Sequence, residues 1–170
     1  MEDVVQRGAL SRRSLLVVAA TLLLASCLPW VNQSPERSEL VADPAAKVRM
    51  PGADELAHFA REKEFTVEGQ AHAFDAHVFG TSAREQEVIA FYDQRITALG
   101  WVRDDFAVFA GSTDLKARGW CKSRMAYRLA IKDQRRAFNP EFYRGKTYVT
   151  VYDAGLQARE PDAKCIAGRS

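Results

Sequence analysis

The chain predicts an α+β fold: a small antiparallel sheet of about four strands with one main helix packed on one face. Three observations carry that expectation. Residues 82–99 repeat apolar side chains at helical spacing. Shorter stretches at 74–79, 120–133 and 147–152 alternate apolar with polar residues. The strands after the helix are joined by turns rather than by further helices, which suits an antiparallel sheet with a helix across it.

The N-terminus is read first. An apolar run of eleven residues, 15–25, follows Arg7, Arg12 and Arg13; a membrane-spanning helix needs about 20. Basic residues, a short apolar core and small residues beyond it make a secretory signal. Leu24-Ala25-Ser26-Cys27 resembles the lipobox of bacterial lipoproteins: a leucine, two small residues and an obligatory cysteine. The resemblance implies cleavage before Cys27, diacylglycerol on its thiol, and a domain held at the cell membrane facing the extracytoplasmic side. Residues 1–26 are then the signal peptide. The alternative is an uncleaved anchor running on through Leu28, Trp30 and Val31, which Pro29 and the polar residues from Asn32 leave short and broken. Ser11-Arg12-Arg13-Ser14-Leu15-Leu16 also resembles a twin-arginine export signal, with leucine where that motif prefers phenylalanine; paired arginines suit general secretion as well.

Four of the six prolines (Pro29, Pro35, Pro44, Pro51) lie between Leu28 and Gly52 among polar residues. This composition predicts a flexible tether over 27–52 and a single domain over 53–170. Leu56, Phe59 and Ala60 share a helical face and suggest a short helix at 53–63. Residues 74–79 predict a strand ended by Gly80. Ser82 and Glu85 form a capping box for a helix in which Val88, Phe91, Tyr92, Ile96 and Leu99 repeat, with Gly100 as its stop. A strand with a polar turn at Asp104-Asp105 is expected at 101–109, and a loop or single turn at 112–118. Residues 120–133 read as one strand whose odd positions (Met125, Tyr127, Leu129, Ile131) face the core and whose even positions face water. Asn139-Pro140 marks a turn. A last strand at 147–152 turns Val149 and Val151 inward, and the polar tail after Ala154 is held by Cys165. Val88-Ile89-Ala90-Phe91-Tyr92, ending at Leu99-Gly100-Trp101, resembles a phrase of small envelope lipoproteins of high-GC Gram-positive bacteria. That resemblance spans residues 74–153, implies a helix closing through a turn into a strand, and carries no activity.

The 143 residues after Cys27 suffice for one core. From Leu28 onward 21 Lys and Arg face 20 Asp and Glu, a balance that argues against nucleic acid as a partner. With Cys27 lipidated, Cys121 and Cys165 remain as an even pair in an oxidising compartment, where a disulfide is expected. Such a bridge closes a loop worth about 4 kcal/mol in the chain-entropy picture; two free thiols are the alternative.

Candidate chemistry is thin. His72 and His77 flank Phe74-Asp75, but residues five apart on a strand point to opposite faces, and His58 is remote in sequence. No metal or other cofactor is therefore expected. No serine sits in a Gly-x-Ser-x-Gly elbow, Gly111-Ser112-Thr113 lacks phosphate-loop spacing, and Asp104-Asp105 fits a turn. Lys122, Arg124, Arg128 and Lys132 share one face of the expected strand, with Lys116, Arg118, Arg135 and Arg136 nearby. This stripe suits anionic headgroups or acidic wall polymers, or simply a solvated face that discourages edge pairing. The reading is a lipid-anchored envelope protein that acts as a binding or structural module; the alternative is a small extracytoplasmic enzyme.

Overall fold

The computed structural model describes residues 34–67, 69–105, 116–132, 145–160 and 163–167. In chain order these form α1 (Arg37–Ala42), a 3-10 turn (Pro44–Lys47), β1 (Asp54–Arg61), β2 (Glu64–Thr66), β3 (Gly69–Ala71), β4 (Phe74–Thr81), α2 (Glu85–Ala98), β5 (Val102–Arg103), β6 (Lys116–Lys122), β7 (Met125–Lys132) and β8 (Thr150–Ala158). The fold is α+β. Its main sheet is antiparallel with six strands, more than the four expected, in the order β1-β4-β8-β7-β6-β5. β2 and β3 pair separately at the tip of the β1–β4 hairpin.

The main helix α2 arises where its periodicity places it, with shifted ends and a shifted face. The Glu87 carboxylate accepts from the Arg84 backbone N–H at 2.7 Å, so the capping box sits at Arg84 and Glu87 instead of Ser82 and Glu85. Gly100, at φ +81°, supplies the left-handed stop. Val88, Tyr92 and Ile96 are fully buried against Tyr127, Leu129, Tyr152 and Leu156 of the sheet. Phe91 and Leu99, expected in that face, are only partly buried at its flank. Each residue turns the helix by about 100°, so the i, i+4, i+8 row through Tyr92 takes the centre.

The expected tether does not extend over 34–52. Leu40 of α1 and Ala45 of the 3-10 turn are fully buried in the main core. Two of the prolines punctuate short helices instead of marking coil: Pro35 precedes α1, and Pro44 opens the 3-10 turn, where a missing N–H costs nothing. The Asp43 carboxylate accepts from Ala45 N–H at 2.8 Å and caps that turn.

The expected helix at 53–63 is β1. A short apolar run fits either period, and seven residues paired with β4 decide for the strand. The expected single strand at 120–133 is a hairpin. β6 turns into β7 at Ser123-Arg124, with Ser123 at φ +54° in the conformation a hairpin usually gives to glycine. Residues 116–118, expected in a loop, begin β6. β8 runs on to Ala158 with Leu156 and Ala158 buried, so the tail is strand where the sequence suggested a loose end. Val151 is buried as expected, but Val149 is exposed. Asp104 and Asp105 do follow the short β5; the expectations for 106–109, 112–115 and 139–140 lie outside the described residues.

Both helices cover one face of the sheet. On the other, Leu56, Val78, Val151 and Tyr148 form a smaller cluster. Three buried tyrosines meet between α2 and the sheet, with the Tyr92 hydroxyl donating to that of Tyr152 at 3.4 Å. Burial pushes the Tyr92, Tyr127 and Tyr152 phenols well above their ordinary value of 10. Phenols of the unfolded chain lose protons near pH 10 while the folded ones keep theirs, so stability complete below pH 10 falls as pH rises further. In a base titration, tyrosinate absorbance from these three residues should therefore appear together with loss of far-UV circular dichroism. Full ionisation of all five tyrosines with the fold intact would refute this.

Candidate functional site

The residues singled out by sequence do not converge. Cys27 lies outside the described residues. Cys121 and Cys165 are bonded, with Cα atoms 5.7 Å apart. The bridge fixes the C-terminal segment to β6, and Ile166 N–H adds a hydrogen bond to the buried Asp104 carboxylate at 3.1 Å.

The basic stripe is broken up, because the hairpin turn separates its members. Lys122 lies on the helix-covered side, 3.2 Å from Asp43 and over the Trp101 ring. Arg124 is in the turn between β6 and β7. Arg128 and Lys132 lie on the opposite face, where both bind Asp153 of β8, at 3.2 and 2.7 Å. Lys116 pairs with Glu85 at 2.8 Å. Arg135 and Arg136 lie outside the described residues. Asp105 forms no carboxylate pair with Asp104 but a two-pronged ion pair with Arg103, whose guanidinium stacks over Trp120.

What the structure does bring together was invisible to strand counting. The β1–β4 ladder shifts by one residue between Glu55 and Ala57. A regular ladder would set Ala57 opposite His77; the bulge sets His58 there instead, on the same face. The two imidazoles stack in parallel, centroids 4.2 Å apart. Asp75, two residues before His77, projects to that face too. Its buried carboxylate reaches His58 Nε2 at 3.2 Å through Oδ2 and His77 Nε2 at 3.3 Å through Oδ1. Arg37 of α1 donates from Nε to Oδ2 at 2.8 Å, and Glu55 Oε1 lies 3.1 Å from His77 Nδ1. Burial pushes the Asp75 carboxyl up, but the Arg37 and His58 hydrogen bonds outweigh it and hold it below the ordinary carboxylate range.

His72 stands apart, as the sequence suggested. Its Nδ1 is 3.1 Å from Ser34 Oγ and its Nε2 is 2.8 Å from Glu160. A serine, an imidazole and an acid in line invite comparison with a hydrolytic triad. Ser34, however, is 4% exposed, and its hydroxyl also donates to the Arg159 carbonyl at 3.2 Å. It ties the N-terminal segment to β8 and offers no face to a substrate.

On the helix-free face, a groove of about 380 Å³ runs over Gly155, between Phe59, Arg61 and Phe74 on one side and Arg128 and Asp153 on the other. Among the described residues no helix is long and apolar enough to cross a membrane. No protein-family model, no curated protein and no solved structure matches this chain.

Proposed function

We propose that this chain is a bacterial lipoprotein: an extracytoplasmic domain anchored to the cell membrane through Cys27, serving the envelope as a binding or structural module. The observation that carries the reading is Leu24-Ala25-Ser26-Cys27 at the end of a short apolar run. Two acyl chains or more on one cysteine would hold the domain firmly, since each buried methylene contributes about 0.8 kcal/mol and one chain alone binds only reversibly. The Cys121–Cys165 bond supports export, because such bonds persist in oxidising compartments. Binding is favoured over catalysis by Ser34, whose hydroxyl is buried and engaged within the serine–histidine–acid row it forms with His72 and Glu160.

Mass spectrometry of the membrane fraction should show an acylated N-terminal peptide beginning at Cys27. Cys27→Ala should abolish both processing and firm membrane attachment. A Cys27→Ala chain that is still cleaved and still resists salt extraction would overturn the reading.

A further inference from the structure

The bulge in β1 brings three ligating side chains to one face of the sheet. His58 Nε2 lies 3.2 Å from Asp75 Oδ2 and His77 Nε2 lies 3.3 Å from Asp75 Oδ1, while Glu55 Oε1 lies 3.1 Å from the other ring nitrogen of His77. Both Nε2 atoms converge on one buried carboxylate, with the rings stacked at 4.2 Å, and this set of two imidazoles and one carboxylate is one that a single divalent ion can share.

We propose that His58, Asp75 and His77 bind a single divalent transition-metal ion of the zinc class. Two imidazoles and one carboxylate suit zinc, nickel or copper better than magnesium or calcium, which prefer oxygen throughout. The three ligand atoms already lie within 4.8 Å of one another. A tetrahedral zinc at about 2.1 Å from each would bring them to about 3.4 Å. Side-chain rotation supplies that closure, since His58 stands on an edge strand with its side chain 40% exposed. The ion lies in the plane of each ring it binds, so binding opens the parallel stack. Arg37 engages Oδ2 and leaves Oδ1 to the metal, while Glu55 fixes the His77 tautomer in the way metal-bound histidines are usually held. A shallow pocket lined by Val48, Arg49 and Glu55 opens beside His77 and gives the ion a way in. Three protein ligands leave a position for water or for a group from a binding partner. The site does not depend on the lipid anchor.

The test is a calorimetric titration of the full chain, in detergent micelles and stripped with a chelator, with zinc alone. One ion per chain is expected. His58→Gln and His77→Gln should each weaken binding by at least roughly tenfold with an unchanged circular dichroism spectrum, and His72→Gln should leave it unaltered. This contrast also separates the site from any zinc held by Cys27. In the unaltered chain, zinc should move the imidazole NMR signals of His58 and His77 and leave those of His72 in place, a readout that needs no variant to fold. Absence of saturable one-to-one binding would overturn the proposal. So would binding that survives both substitutions, or ring signals that move first at His72.

Discussion

Tyr92→Ala should cost the domain about 3–5 kcal/mol, the range for removing a buried aromatic. That is about a fifth or more of the 5–15 kcal/mol stability of a typical domain. Tyr92 is fully buried at the centre of the α2 face. Its ring meets Tyr152 edge-on at 5.6 Å and Tyr127 at 6.1 Å, so truncation empties the middle of the core and strips the Tyr152 hydroxyl of its partner. Phe91→Ala should cost clearly less, because Phe91 lies at the flank with Arg95 over its ring. Urea midpoints of the two variants, at constant denaturant slope, measure the difference. Equal costs would mean that α2 is rotated about its axis relative to this description.

Gly155→Ala should be nearly as damaging, at about 3 kcal/mol, the upper end of ordinary overpacking. A Cβ at Gly155 would collide with the Asp75 carbonyl oxygen and the Ala76 Cα. Both are backbone atoms of the neighbouring strand, so relief requires parting β8 from β4. Gly80→Ala is the useful comparison: there the added methyl meets the base of the Tyr148 ring at 2.6 Å. That side chain is buried and its hydroxyl is held by Asp54, so the change should be costly as well, but through side-chain packing and not through the parting of two strands. A Gly155→Ala chain that unfolds at the wild-type midpoint would show that the strands can separate freely at this point. Because the collision falls on Asp75, the same substitution should also disturb the two imidazoles beside it.

The residues that were legible in the sequence are those whose structure is decided locally. α2 has its own period and glycine stop, although its cap lies at Arg84 and Glu87, and β4 has its alternation, although it runs on through Gly80 to Thr81. The cysteine pair followed from parity and compartment. What escaped was decided by neighbours distant in the chain. Leu40 and Ala45 are two apolar residues in a polar, proline-rich stretch; only the surface waiting for them makes that stretch part of the domain. Ser123-Arg124 carries none of the glycine that normally announces a two-residue turn, so two strands read as one. That error created the basic stripe. The bulge beside Leu56 is a single-residue slip with no local signature, yet it decides which face His58 joins.

The position of β8 has a kinetic consequence. The last strand among the described residues is paired on both sides, to β4 and to β7. Until residues 150–158 dock, the β1–β4 hairpin and the β5–β6–β7 meander cannot be joined, and each presents a bare edge. The chain can therefore form α2 and its hairpins early, but completes its sheet only once β8 is in place between β4 and β7. Folding dominated by such distant pairings is slow. The delay keeps the chain open for longer to any machinery that handles unfolded substrates, and to edge-to-edge association with other copies where none is at hand.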